Sequence, residues 1–495
     1  MKIKSKIYFI GVMLILFCGS TFAETASIDG IPITTKSPKA KDLMLKGLDA
    51  YEMGNILEAQ TYCKQAISED SHFAYAYVVL AYASNSTQEF KDNMEMANYN
   101  AKYCSEPEQM LIKIGLSYFN TNLEDRLALA NKLVQVVPKS PRAWIYLSGV
   151  QTENNELEKA RKNLEKAIAL DEDFHYAYQQ LGFSYLNQKP NDFNKAVINM
   201  KQAVKLVPKS GWAYINLGDA LRGNSELKMA RDNYSKAIEI NSEHALAYLK
   251  RAHANLFLDD IAGARMDYLK AVQLAEEVNL PIYSNYKAFT KIHEGKPMEA
   301  YLELKLVLDK IEHLELTESQ KLGQKIFTLQ NMVRICIHNE EYDKAKECLS
   351  MFSQNVKKRL AHIKSERYSL GQKASIKLHE IYLLAQKGEF NEAHEKCKEV
   401  KEIYTKLDNE ILMENLYGAQ AYVFLKEKKY DDAIVNYQKS DLNEIYNKYY
   451  LAMAFEKTGK KDKAKKLFKE VADFNFNSVE YALLRKDVMK KIASL

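Results

Sequence analysis

WAYINLGDALRGNSELKMARDNYSKA, residues 212–237, and YQQLGFSYLNQKPNDFNKAVINMKQA, residues 178–203, present the same residue types in the same order. In the first, Tyr214, Leu217-Gly218 and Leu221 precede Ala230, Tyr234 and Ala237. In the second, Tyr178, Leu181-Gly182 and Tyr185 precede Ala196, Met200 and Ala203. Trp144, Leu147, Ala160, Leu164 and Ala167 repeat the scheme upstream, and Tyr248, Ala252, Ala264, Tyr268 and Ala271 repeat it downstream. From Pro141 to Ala275 the slots recur every 34 to 36 residues. Each period reads as two helices joined by a tight turn. A large aromatic on the first helix fills the space between the pair. Small residues at Gly182, Gly218, Ala196 and Ala230 let the backbones approach, where a bulky side chain would overpack the contact. One hairpin cannot bury its apolar face alone, so neighbours must stack.

Working outward, a first hairpin spans Ala40 to His72, and a second begins at Ala74 with a turn, Asn85 to Lys91, that reads as stretched. Pro107 to Pro138 fits one repeat length in degenerate form. Beyond Ala275 the second-helix alanine returns at Ala300, Ala345, Ala393, Ala433 and Ala464, at wider spacing. Polar or Gly-bearing turns precede each: Glu294-Gly295-Lys296-Pro297, Asn339 to Tyr342, Lys387 to Phe390, Lys428 to Asp431 and Thr458 to Lys460. The wider gaps predict extended helices around 314–330 and 356–373. Phe476 to Leu495 is amphipathic and reads as a helix capping the end of the stack.

The period and slot residues of 141–275 resemble the tetratricopeptide repeat (TPR) family closely, and most of the chain resembles it more loosely. The resemblance implies an all-α fold: a right-handed α-solenoid of stacked antiparallel helical hairpins, ending in a capping helix. The expected organisation is a signal peptide at 1–23, a flexible lead at 24–39, an N-terminal array at 40–280, a divergent array at 281–475 and the cap at 476–495. The ends resemble those of exported bacterial members of unassigned role.

Lys2, Lys4 and Lys6, the apolar run Ile7 to Cys18, and Thr21-Phe22-Ala23 form the signature of a secretory signal peptide. The run is too short for a membrane span, which needs about 20 residues. Removing 1–23 takes three lysines from the formal charge of +5 and leaves +2, so nothing global calls for nucleic acid. The expected location is the periplasm, cell surface or outside of a bacterial cell. Five cysteines remain, an odd count with irregular spacing that is no disulfide framework. Cys336 and Cys348 fall on the two helices of one hairpin, facing each other, where an oxidising compartment allows a bridge.

No catalytic motif is present, and no cofactor is expected: there is no Gly-rich phosphate loop, no Gly-x-Ser-x-Gly elbow and no His-Glu-x-x-His helix. His394 and Cys397, with His379 upstream, are the nearest thing to a metal pattern and lack a full ligand set. Lys457 to Lys469 forms a basic cluster that suits a weak contact with an anionic envelope polymer.

First helices of such a solenoid line its concave face. Outside the core slots, the strong repeats present Tyr146, Tyr176, Gln180, Phe183, Trp212, Asn216, Asp219, Lys250 and His253 there. Trp212 stands out because Tyr214 already fills the aromatic slot. Some family members grip a terminal carboxylate with Lys and Asn side chains. Asn216 and Lys250 match part of that clamp, but Gln179, Phe183 and Leu246 replace the rest. A mixed aromatic and amide groove suits an extended peptide or a partner helix. The expectation is therefore a non-catalytic, exported scaffold for a protein or peptide partner. The alternative is a metal- or thiol-dependent hydrolase in the divergent half.

Overall fold

The computed structural model describes residues 27–28, 30–119, 123–363 and 365–494. The signal segment 1–23 lies outside them. The described chain is all-α apart from a two-stranded ribbon, Ser27–Ile28 (β1) with Ile31–Pro32 (β2), paired antiparallel with Ile28 opposite Ile31. The chain divides into two compact units, residues 1–180 and 181–495.

In the first unit, Pro38–Glu52 (α1) pairs with Ile56–Glu69 (α2), and Ala74–Tyr82 (α3) with Thr87–Asn100 (α4). Glu106–Ser117 (α5) pairs with Leu123–Val136 (α6), and Pro141–Glu153 (α7) with Leu157–Leu170 (α8). The division falls within α9, His175–Asn187. The second unit opens with the end of α9, followed by α10, Phe193–Leu206, packed on α11, Gly211–Gly223. Helix α11 pairs with α12, Leu227–Ile240, and α13, Ala245–Phe257, with α14, Ile261–Leu274. Leu280–His293 (α15) pairs with Pro297–Ile311 (α16), and Glu318–His338 (α17) with Tyr342–Leu360 (α18). Glu366–Lys387 (α19) pairs with Phe390–Leu407 (α20), and Glu410–Lys426 (α21) with Tyr430–Tyr437 (α22). Ile445–Lys457 (α23) and Lys461–Ala472 (α24) form the last hairpin before α25, Val479–Ser494.

Local chemistry explains the element ends. The sequence Val-Pro-Lys-Ser occurs at 137–140 and 207–210. Each serine caps the helix that follows, accepting from the amide of Ala143 or Ala213 at 3.2 Å. The small-residue slots are tight. A Cβ built on Gly218 would lie 2.8 Å from Cζ of Tyr234, and one on Gly182 would lie 2.8 Å from Cε of Met200. Every alanine slot of the second helices, from Ala160 to Ala464, is fully buried.

Several expectations need correction. The lead is folded from Ile31 onward: Ile31 and Ile33 are buried in the first unit's core, and Thr34 donates its amide to Glu108 on α5 at 2.9 Å. Two alternating isoleucines are too few to register as a strand, yet suffice to anchor a ribbon. The stretched turn at 85–91 is short, because Ser86 caps α4 and accepts from the amide of Glu89. The long helices are α17 to α20, centred elsewhere than 314–330 and 356–373, since the extra residues lengthen both helices of two hairpins. The last helix packs on α24, as a cap does, but also on α15, α17 and α23. That return ties residues 181–280 to the rest of the second unit, well before the expected boundary between arrays.

Candidate functional site

In the first unit the inner face is largely satisfied from within. Tyr51 of α1 shares a hydrogen bond with Tyr176 of α9, and Glu52 is ion-paired with Arg142 of α7, both carboxylate and guanidinium buried. Tyr82 of α3 lies 6.4 Å from Tyr51 and 6.2 Å from Tyr146, ring to ring. Burial pushes the phenols of Tyr82, Tyr146 and Tyr176 well above their ordinary value. Tyr146 and Tyr176 thus both belong to this aromatic cluster; Gln180 is half-buried. Beside the cluster opens a depression of about 530 Å3 lined by Tyr82, Ser84 to Thr87, Phe90, Tyr118 and Phe119. Phe90 meets Tyr118 edge-on at 6.3 Å and Phe119 at 5.6 Å. Tyr118 is 38% exposed, and the Arg126 guanidinium lies 3.9 Å from its ring centre.

In the second unit Trp212, Asp219, Lys250 and His253, all expected in the groove, make contacts within the chain. Trp212 lies edge-on against His244, 5.4 Å away at the start of the next hairpin, which is packing between repeats. Asn216 is buried, and Phe183 is half-buried on α9. Asp219 accepts from Lys250 and from the Tyr234 hydroxyl, each at 2.7 Å, and pairs with Arg222. Burial acts to raise the Asp219 carboxyl, but Lys250 and Arg222 outweigh it and hold it at about 2. Burial, then Arg222 and Lys250, depress His253 strongly; its Nδ1 lies 2.6 Å from the Tyr268 hydroxyl.

The chain's own segment between α24 and α25 packs against Arg222, His253 and Tyr268 of this group. Arg222 donates to the carbonyl of Asn475 and lies 4.8 Å from the Phe476 ring centre. Asn475 donates to the Ser225 hydroxyl at 2.9 Å, and Asn477 to the Tyr268 hydroxyl at 3.0 Å. Helix α25 continues the contact: Arg485 pairs with Asp259 at 2.7 Å, and Lys486 donates to the Glu294 carbonyl at 3.1 Å.

Further along the same unit, α17, α19, α21 and α23 line a cavity of about 290 Å3, with Glu480 of α25 as one wall. Tyr382, Tyr422 and Tyr450 contact in series at 5.0 and 4.9 Å, and Tyr446 lies 5.5 Å from Tyr450. Arg334 is ion-paired with Glu480. Buried His379 donates from Nδ1 to the Ser375 carbonyl at 2.8 Å, while its Nε2 has no partner. Burial, reinforced by Arg334, lowers this imidazole to about 4. Sequence reasoning missed this site. A usable signal was the group Tyr446, Tyr449 and Tyr450 on one first helix, more aromatics than a single slot consumes.

The hydrolase alternative finds poor chemistry at its named residues. Cys397 is buried and its thiol pushed up to about 12 by that burial, which disfavours the thiolate a nucleophile or ligand needs. His394 bonds Glu427 at 3.1 Å. Among the described residues no three His, Cys, Asp or Glu side chains gather to hold a metal. Cys336 and Cys348 do face each other and share a hydrogen bond, as buried free thiols; that bond and burial raise Cys336. The Lys457 to Lys469 cluster is largely exposed, with Lys460 and Lys463 over the Phe455 ring at 5.8 and 5.5 Å. No described helix is long and apolar enough to cross a membrane.

A tetratricopeptide repeat model matches residues 213–244. The chain is 31% identical over 128 residues to a UDP-N-acetylglucosamine–peptide N-acetylglucosaminyltransferase of Giardia intestinalis, across 26% of this chain and 8% of that one. It is 24% identical to anaphase-promoting complex subunit 3 of Schizosaccharomyces pombe, across 34% of this chain and 25% of that one. The chain thus spans a quarter or less of these relatives. Among solved structures, MamA of Desulfovibrio magneticus and the tetratricopeptide repeat protein TTC0263 of Thermus thermophilus are each 17% identical. They cover 34% and 36% of this chain and 94% and 98% of their own, each with TM-score 0.31.

Proposed function

From a chain built of tetratricopeptide repeats, we propose a non-catalytic scaffold that binds a protein or peptide partner on its first unit, where the α3–α4 and α5–α6 turns meet. The observation that carries this reading is the open aromatic depression of Tyr82, Phe90, Tyr118 and Phe119. Half-exposed aromatic rings beside a paired arginine are the composition of interface anchors. Ser84 to Thr87 form its polar rim, the border expected around interface anchors. The basic start, apolar run and small-residue site of residues 1–23 support export to the envelope or beyond. A lysine-rich face at 457–469 supports a weak additional contact with an anionic polymer.

Photo-crosslinking tests the surface. A benzophenone side chain at Tyr118 is expected to give a discrete protein adduct in the source cells. One at Lys166, exposed on α8, is expected to give none. Adducts from both positions, or from Lys166 alone, would contradict the assignment. Reactivity of a cysteine at an exposed site toward a membrane-impermeant reagent in intact cells tests export.

A further inference from the structure

We infer that the cavity between α17, α19, α21, α23 and α25 is a binding site for a neutral, polyhydroxylated six-membered ring, one hexose unit of a saccharide. The inference stands independently of the proposed partner surface.

Size comes first. A cavity of about 150 Å3 holds benzene, so one of about 290 Å3 has room for a six-membered ring with its hydroxyls.

Charge comes second. Arg334 and Glu480 answer each other, and Glu444 also faces the cavity. An added anion would meet two carboxylates against one guanidinium, a penalty that a neutral ligand escapes.

Hydrogen bonding comes third. The Ser375 carbonyl can only accept, so Nδ1 of His379 carries the ring proton. The imidazole is neutral at ordinary pH, which leaves Nε2 a bare acceptor, and it is a buried atom with no partner. His379 is only 8% exposed. A buried acceptor left unpaired is costly, and an apolar ligand would keep it so. A hydroxyl donating to Nε2 satisfies that acceptor, and a saccharide ring carries several.

Surface comes last. Tyr382, Tyr446 and Tyr450 are each partly exposed and line the cavity, so their rings offer apolar area to the C–H faces of a pyranose. Their hydroxyls supply further donors and acceptors, which an alternating ring of hydroxyls can match.

The test uses the full chain and four probes: glucose, galactose, mannose and N-acetylglucosamine. Saturation-transfer NMR with irradiation of the aromatic protons reads contact with ring faces. Titration reads affinity. At least one hexose is expected to bind with Kd on the order of 1 mM, the affinity suited to about a dozen heavy atoms. His379→Leu and Tyr446→Ala are expected to weaken it about tenfold, the worth of one good contact. His379→Gln keeps an acceptor and Tyr446→Phe keeps a ring, and both are expected to bind within about threefold of the parent. Should the alanine variant fail to fold, the tyrosine-to-sugar saturation transfer in the parent still decides. Failure of all four hexoses to saturate overturns the inference. So does binding that ignores both disruptive variants. Displacement of a bound hexose from Tyr446 by trialanine, with tighter binding of the peptide, would instead make the cavity a peptide site and overturn it.

Discussion

The two units are built from the same hairpin and treat their inner faces differently. In the first, side chains of the first helices meet across the inner face: Tyr51 with Tyr176, Glu52 with Arg142. In the second, the longer array does not satisfy its face with first-helix side chains alone. A segment from the end of the chain comes back to its hairpins, and Asn475, Phe476 and Asn477 meet Arg222 at the end of α11, Ser225 in the turn after it and Tyr268 on α14. A repeat fixes how neighbours stack, but not how the inner surface is completed. The same architecture therefore yields an aromatic depression open to solvent in one unit and a walled cavity in the other.

Breaking the buried ion groups should separate the units most sharply. Arg222→Met removes the donor shared by Asp219 and the Asn475 carbonyl, leaving the carboxylate with Lys250 and Tyr234. Loss of a partner from a buried charge costs about 3 kcal/mol. Urea unfolding should show that loss in the second unit's transition, with α25 probes melting early. Arg142→Met should remove a similar amount from the first unit alone. Equal effects of each variant on both units would dissolve the comparison.

Gly218→Ala comes next. The added methyl meets the Tyr234 ring, and Tyr234 is held by Asp219 and cannot swing away. Overpacking of this kind costs about 2 kcal/mol, read as a lowered midpoint in denaturant. Gly149 of the first unit has nothing within 4 Å of a built Cβ, so Gly149→Ala should be neutral or slightly stabilising.

Acid should weaken the second unit before the first through buried histidine. His293 is lowered to about 3, chiefly by burial and then by Arg485, against an ordinary value of 6.5. Between those values the unfolded chain holds a proton that the folded chain does not. Stability is therefore complete above about pH 6.5 and falls as the pH drops toward the folded value, by about 1.4 kcal/mol per pH unit. His293→Phe should reduce the slope by that one-proton share, leaving the part due to His253 and His379, measured by unfolding at a series of pH values. His379, lowered to about 4, adds a parallel contribution over a narrower window.

The smallest effect lies at the turns. Lys428 adopts φ of 65° where Gly54, Gly295, Gly388 and Gly459 serve other hairpins. Lys428→Gly should relieve the left-handed strain and stabilise by about 0.5 kcal/mol, less than the full penalty because glycine loosens the unfolded chain.

Much of the fold was legible because hairpin signals are local. Ala160 to Ala464, the slot glycines and the five late turns fall where their chemistry requires, and each is decided by residues within one period. What the sequence hid is long-range. Asn475-Phe476-Asn477 is a short polar and aromatic link whose partners lie over 200 residues away, and no periodicity announces such a pairing. Trp212 looked available because its slot was already filled by Tyr214; its neighbour His244 comes from the next repeat. The cavity tyrosines belong to the divergent array, where loosened spacing obscured which residues face inward. Even so, Arg222 was a readable clue: an arginine beside a core leucine on a first helix needs an acceptor, and its acceptor is the returning segment.

The return of that segment is the centre of this account, and one cross-link tests it directly. Ser225→Cys combined with Asn475→Cys places two thiols where a hydroxyl and an amide now sit 2.9 Å apart. Mild oxidation of the full chain should join positions 225 and 475 within one molecule, identified by mass spectrometry of the unreduced peptides, with the buried native thiols unreacted. Free, rapidly alkylated thiols at both new positions and no linked peptide would contradict it.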